Sequence, residues 1–149
     1  MLLKLMRTPF GFALDRFLVR WWGRSLLLQS AERAGVMRAA PVLLLVTEGC
    51  KSGKKRSAVL PYFVAQGKLF IVGSKGGAPK DPAWAQNLRS TPDATIYIMR
   101  RRRQVRAHFA TGDERAPLWE GLTEYPLYQQ YQQKAANREI PLIILEEIR

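Results

Sequence analysis

The sequence predicts an α+β domain: a small barrel of about six mostly antiparallel strands, with helices at both ends and one in the middle. Two hairpins carry this prediction. Residues 57–65 and 68–74 are apolar-rich stretches joined by the tight pair Gln66-Gly67. Residues 94–99 and 104–111 alternate at Ile96/Ile98 and at Val105/Ala107/Phe109, on either side of Arg100, Arg101, Arg102 and Arg103. Hairpins pair strands antiparallel and leave no room for the long crossovers a parallel sheet needs.

The elements follow in order. Residues 10–34 read as an amphipathic helix, with Phe10, Leu14, Phe17, Leu18, Trp21 and Leu28 at helical spacing. Arg16, Arg20 and Arg24 fall four apart on another side, and Gly35 is a stop. Residues 42–47 form a buried strand, and the first hairpin comes next. Residues 81–90 form a helix with Asp81 as N-cap and Pro82 at its first position. Thr91-Pro92-Asp93 ends it. After the second hairpin, residues 113–122 and 126–135 are short helices, and 141–145 is a closing strand. The chain reads as one domain over 1–149: a barrel at 40–149 with an N-terminal helical extension at 1–35.

The charge balance is unusual. Lys and Arg number 24 against 12 Asp and Glu, a net of +12. Such a surface favours polyanions: nucleic acid, acidic lipid or a phosphorylated cofactor. The single Cys50 offers no internal disulfide. One Cys and one His, His108, argue against a protein-only metal site. The longest apolar run, 39–46, is far short of the roughly 20 residues a bilayer requires. Asp15, Arg16, Arg20 and Arg24 interrupt any signal-peptide core, so the reading is cytoplasmic.

Two basic, glycine-containing loops hold the chemistry. Gly49-Cys50-Lys51-Ser52-Gly53-Lys54-Lys55-Arg56 lies between two strands. It reads as a solvated turn, a nucleic-acid phosphate contact or a cofactor phosphate site; its glycine spacing is not that of a P-loop. Ser74-Lys75-Gly76-Gly77-Ala78-Pro79-Lys80 follows a strand and leads into a helix start, where backbone donors and the dipole favour anions. Its plain alternative is a connection that needs small residues. Trp84 and Asn87 share one face of that helix; Trp84 covers a flat ring or is simply core.

Tyr125, Tyr128 and Tyr131 make a stripe that is either core or the lining of a substrate pocket, since phenols need partners in a dry interior. The N-terminal helix, with Phe17, Trp21 and Trp22 beside its arginines, suits an anionic membrane surface or packing on the barrel. No argument separates a solvated turn from lipid or nucleic-acid contact for Arg100 to Arg103. Cys50 sits beside Lys51, which could lower its pKa, but no Ser-His-Asp order or paired carboxylates accompany it. An enzyme with this inventory leaves the chemistry to a cofactor. Nucleic-acid binding ranks last, because no stacking platform or helix-turn-helix is evident.

Residues 44–56, then Ser74-Lys75-Gly76-Gly77-Ala78-Pro79-Lys80-Asp81-Pro82-Ala83-Trp84 with Asn87-Leu88, resemble the deazaflavin-dependent nitroreductase family. Asp113-Glu114-Arg115-Ala116, Tyr125-Pro126, Tyr128, Tyr131 and Arg138-Glu139-Ile140-Pro141 extend the resemblance from about residue 40 onward. It implies a split β-barrel and coenzyme F420, a deazaflavin with a phosphate and an oligoglutamate tail, in preference to FMN. It implies phosphate and tail contacts at Cys50, Lys51, Ser52, Arg56 and Lys75. The ring pocket would comprise Ser57, Ala58, Val59, Leu60, Pro61, Val72, Gly73, Ser74, Ala83, Trp84, Ala85, Gln86 and Asn87. Tyr62, Tyr125, Tyr128 and Tyr131 would meet the substrate, with Tyr128 and Ser74 as hydrogen-bond donors in catalysis. The implied reaction is hydride transfer to a quinone or nitro-type small molecule; the N-terminal helix adds the expectation of a cytoplasmic protein peripheral to the inner face of the membrane. A non-catalytic lipid binder on the same barrel is the rival reading. The chain departs from the family pattern at Cys50, where a larger cation is usual, and at Pro61, where the family carries a tyrosine.

Overall fold

The computed structural model describes residues 8–22, 25, 26, 29, 33 and 40–149. Helix α1 (Pro9–Trp22) opens the described chain. Thr8 starts it: its hydroxyl accepts from the Gly11 N–H at 3.2 Å, and Pro9 supplies a preset first helical residue. Most of the rest of the predicted 10–34 helix, Arg24 and Leu28 included, lies outside the described residues.

Seven strands follow: β1 (Val42–Glu48), β2 (Lys55–Pro61), β3 (Phe63–Ala65), β4 (Lys68–Val72), β5 (Asp93–Ile98), β6 (Arg101–Phe109) and β7 (Leu142–Glu147). Helix α2 (Ala83–Ser90) stands between β4 and β5; α3 (Gly112–Glu120) and α4 (Leu127–Lys134) stand between β6 and β7. The strands form one curled antiparallel sheet, a half-barrel, in the order β2-β1-β5-β6-β7-β4-β3. The expected barrel of antiparallel hairpins is therefore present.

Its details correct the expectation in three places. The stretch 57–65 is two strands, because the chain must leave one edge of the curled sheet and join the other at Tyr62. There the Tyr62 N–H bonds to the Pro41 carbonyl at 3.0 Å; β2 pairs with β1, and β3 pairs with β4. The second hairpin turns at Met99-Arg100, both with positive φ (47° and 69°), and Arg101, Arg102 and Arg103 continue as strand. A two-residue turn of that hand matches the twist of the flanking strands, so the ladder runs to Ile98↔Arg101. Gln66-Gly67 makes the same kind of turn, with φ of 54° and 68°. Third, α2 begins at Ala83 with Pro82 in the cap position, and Asp81 does not cap it.

Period-two alternation sends the two faces of β1 to different partners. Val42 and Leu44 pack with Val19 of α1 on one face. Leu43 and Leu45 pack with Ala85 and Leu88 of α2 on the other, joined by Ile96, Val105 and Ile143. A separate cluster of Phe63, Phe70, Leu118, Leu122, Tyr128 and Ile140 lies under α3 and α4. Among the described residues no helix is long and apolar enough to cross a membrane.

Candidate functional site

The β1–β2 loop is closed on itself. The Gly49 N–H donates to the Lys54 carbonyl and the Gly53 N–H to the Gly49 carbonyl, both at 2.8 Å. Gly53 has φ +66°, a conformation that costs glycine little, and a Cβ on Gly49 would sit 2.7 Å from the Ser52 Oγ. Lys51, Ser52 and Arg56 are left exposed around this tight ring. No carboxylate among the described residues pairs with Lys51, Lys54, Lys55 or Arg56.

Asn87 clamps the loop to α2. Its buried side chain accepts from the Cys50 N–H through Oδ1 at 3.0 Å and donates through Nδ2 to the Thr47 Oγ1 at 3.0 Å. The first turn of α2 is thereby held against the basic loop. The N–H groups of Ala83 and Trp84 open that turn, where no intrahelical acceptor exists for them.

The β4–α2 loop is wound through three successive positive φ values at Lys75, Gly76 and Gly77 (44°, 62° and 77°). Gly77 fits where nothing larger could: a Cβ would lie 2.7 Å from the Tyr131 carbonyl oxygen and 2.9 Å from the Lys134 Cβ. Arg138 staples this loop. Its guanidinium donates to the carbonyls of Gly73 (3.0 Å), Ser74 (2.9 Å) and Ala78 (3.0 Å), and to the Asp81 Oδ1 at 2.6 Å. The Asp81 carboxylate, also held by Arg89 at 3.2 Å, is thus committed elsewhere than to the helix cap.

A cleft of about 500 Å³ opens between the basic loop, β2 and α2. Cys50, Lys51, Ser52, Arg56, Ser57, Ala58, Ala83, Trp84, Gln86 and Asn87 line it, together with Thr47 and Gly49. Of the other predicted contacts, Val59, Leu60 and Pro61 lie further along β2, outside this lining. Val72, Gly73, Ser74 and Lys75 belong to the stapled loop and its strand, and Ala85 is buried under the sheet.

One edge of the cleft is the outer side of β2, the last strand of the sheet among the described residues. The bonds Gly49 N–H to Lys54 O and Tyr62 N–H to Pro41 O fix the alternation along β1–β2. Thr47↔Arg56 and Leu45↔Ala58 are the hydrogen-bonded pairs. Ser57 and Val59 therefore turn their N–H and C=O groups to the free edge.

The tyrosines stand apart from this cleft. Tyr128 is buried, with its ring edge-on to Phe63 (5.6 Å, 89°) and to Tyr131 (6.1 Å, 81°). Tyr125 also packs on Phe63, at 4.9 Å. Tyr62 packs partly buried against the α2 side of the core. Burial, then the neighbouring Tyr131 and Tyr125, pushes the Tyr128 phenol well above its ordinary range.

Residues 25–147 match the family model for the F420H(2)-dependent quinone reductase. The chain belongs to that family. A Mycobacterium tuberculosis protein named as a candidate F420H(2)-dependent quinone reductase is 38% identical over 112 residues, 75% of this chain and 94% of the relative. An F420H(2)-dependent quinone reductase of the same species is 34% identical over 114 residues, 72% of this chain and 74% of the relative. A solved F420-H2 dependent reductase superposes with a TM-score of 0.62 at 37% identity, covering 71% of this chain and 94% of that one.

As a family member the protein is an F420H2-dependent oxidoreductase, and its cofactor is coenzyme F420. The residues present fit that group. The cleft volume lies in the range of small-molecule sites. Its rim carries cations, without a carboxylate partner among the described residues, suited to a phosphate and an acidic tail, and its wall offers Trp84 and the outer edge of β2 to a flat heterocycle. Arg138, to which the sequence reading assigns no role of its own, proves central to this geometry, and Asn87, read as part of the ring pocket, also clamps the first loop. The signal for Arg138 was its place in the Arg138-Glu139-Ile140-Pro141 block, just ahead of a buried strand.

Proposed function

We propose that the protein transfers a hydride from reduced F420 to a quinone, with nitro compounds as incidental acceptors. The observation that carries this reading is the basic loop, without a carboxylate partner among the described residues, pinned by Asn87 against the first turn of α2. Lys51, Ser52 and Arg56 hold the phosphate and the anionic tail, assisted by the N–H groups of Ala83 and Trp84. Ser57 and Val59 offer edge N–H donors to ring carbonyls, and Trp84 shields a ring face from water. Bound F420H2 supplies a hydride and, on oxidation, a proton; the quinone takes up both and becomes a hydroquinone. The protein's part is orientation and exclusion of water, which is where rate is gained when the cofactor holds the chemistry. The tyrosines do not border the cleft, so no step is assigned to Tyr128.

The test is a fluorescence titration with F420 and, separately, FMN, followed by F420H2 oxidation with the soluble naphthoquinone menadione. Micromolar F420 binding that FMN does not reproduce, with quinone-dependent turnover, is the expected result. Absence of F420 binding would remove the reading.

A second reading concerns location. Leu14, Phe17 and Trp21 of α1 are 40%, 53% and 49% exposed, beside Arg16 and Arg20. That face suits the interface of an anionic bilayer, with 1–35 as a membrane-facing extension of the 40–149 barrel. Flotation with phosphatidylglycerol vesicles tests it: a Phe17→Ser/Trp21→Ser variant that still floats with the wild type would discard it. The comparisons lend no support to a non-catalytic lipid binder.

A further inference from the structure

A cleft of about 380 Å³ lies between α3, α4 and the segment that leads into β7. Its lining includes Arg115, Trp119, Gln132, Asn137, Arg138 and Glu139, and shares no residue with the cleft described above. The frame of this site is fixed. The Gln132 side chain donates through Nε2 to the Arg138 carbonyl at 2.7 Å and accepts through Oε1 from the Ile140 N–H at 2.9 Å. The Ile140 carbonyl in turn accepts from the Arg115 Nη2 at 2.8 Å. The backbone on both sides of Glu139 is therefore held, while the Glu139 side chain itself is 71% exposed. That side chain can swing away without moving the walls.

Arg115 is the anomaly in this frame. Its side chain is only 14% exposed, and its guanidinium lies over the Trp119 ring, 4.9 Å from the centroid and one helical turn along α3. Its Nε is buried and has no hydrogen-bond acceptor among the described residues. The Glu139 Oε1 stands 3.3 Å away, within ion-pair reach but out of line for the Nε–H. A buried charged donor left unmatched is costly, and the planar fork of a guanidinium is matched by the two oxygens of a carboxylate. We propose that this cleft binds a small planar carboxylate, an aromatic monoacid in class, which takes the Arg115 fork over from Glu139. The carboxylate of the ligand accepts from the guanidinium, its flat body lies beside Trp119, and Asn137 offers an amide at the wall. The volume suits a ligand of one or two rings. A phosphate fits less well. The lining has no cation besides Arg115 and Arg138, and the Arg138 guanidinium is turned to the loop carbonyls and Asp81. The site stands apart from the cofactor reading, since neither its walls nor its charge come from the basic loop.

The experiment is an NMR titration of the full chain with benzoate, and with uncharged benzamide as control, in wild type, Glu139→Gln and Arg115→Lys. Benzoate should bind and benzamide should not. Glu139→Gln removes the tethered competitor from an exposed position, so it should tighten benzoate binding about two- to fivefold, the scale of one exposed ion pair. Arg115→Lys keeps the charge but loses the fork, and should weaken binding about tenfold or more. The opposite signs of the two variants are the signature of a carboxylate exchanged at one guanidinium; Glu139→Gln alone preserves the test if Arg115→Lys does not fold. Absence of benzoate binding in both wild type and Glu139→Gln overturns the proposal. Equal binding of benzamide, or no tightening in Glu139→Gln, overturns it as well. So does an affinity that Lys51→Ala/Arg56→Ala removes and Arg115→Lys leaves intact, which would place the carboxylate on the basic loop.

Discussion

Arg138→Ala should damage the protein in two separable ways. The guanidinium is 12% exposed and donates four hydrogen bonds, three to loop carbonyls and one to the Asp81 carboxylate. Charge-assisted bonds contribute about 1.5–3 kcal/mol, and neutral ones about 1 kcal/mol each. The sum overstates the loss, because water can reach some of the carbonyls and Arg89 remains on Asp81. A cost of about 2–4 kcal/mol follows. For a chain of this size that is roughly 4–16 °C in Tm, at about 2–4 °C per kcal/mol. F420 affinity should fall as well, since the stapled loop leads directly into the first turn of α2. Arg138→Lys should recover the Asp81 contact but not the fork of carbonyl bonds, and should fall between. The assays are thermal unfolding by circular dichroism and F420 fluorescence titration. A Tm within about a degree of wild type for Arg138→Ala would show that the four bonds are worth little, and the staple argument would fail.

Lys51→Ala and Arg56→Ala should each weaken F420 binding by about 1–2 kcal/mol, and more at low than at high salt, because both groups are exposed; salt-independent affinity in titrations would count against a phosphate or tail contact. Gly77→Ala should cost about 1–3 kcal/mol in urea unfolding, since it adds strain at φ +77° to a clash with the Tyr131 carbonyl; a neutral variant would mean α4 yields easily. Tyr128 bears on alkaline stability. Its folded pKa is raised above 10.0, so the unfolded chain gives up this proton first and the native state holds it longer. Its contribution is therefore intact below about pH 10 and turns against the fold above that point. Tyr128→Phe should lose less stability than wild type between about pH 9 and 11, as read from urea midpoints; equal losses would place the titration elsewhere.

The hairpins and the two basic loops could be read from the chain because local rules govern them. Alternation at Ile96/Ile98 and Val105/Ala107 and the Gln66-Gly67 turn need no tertiary information. The split at Tyr62 was not legible, since nothing local says that one continuous apolar stretch must serve both edges of a curled sheet. Asp81 looked like a helix cap because caps are recognised by residue type, whereas its carboxylate is claimed by Arg138 from far along the chain. The arginine run looked like a hairpin tip because charge suggests loop, and strand pairing overrode it. The tyrosine stripe was open between core and pocket; in the structure its rings gather round Phe63, away from the cleft. The cleft walls from the first loop, β2 and α2 were recoverable only because the family pattern marks them. The clamp by Asn87 is a contact between the first loop and α2 that no spacing rule reveals.

Strand β7 comes last of the seven in sequence yet lies inside the sheet, between β6 and β4. Among the described residues β7 alone joins the β3–β4 hairpin to the rest of the sheet, so its docking waits for Phe70 to meet Ile144. Such a distant pairing carries a large loop-closure cost and is slow to form. The stretch that performs it begins just past Arg138. The last act of sheet assembly and the tying of the β4–α2 loop are consequently one kinetic event. A chain caught before that event would hold the β1–β2 hairpin with its basic loop but no ordered second loop. The appearance of F420 affinity during refolding should therefore keep time with the slowest phase, and the cofactor would serve as a clock for completion of the sheet.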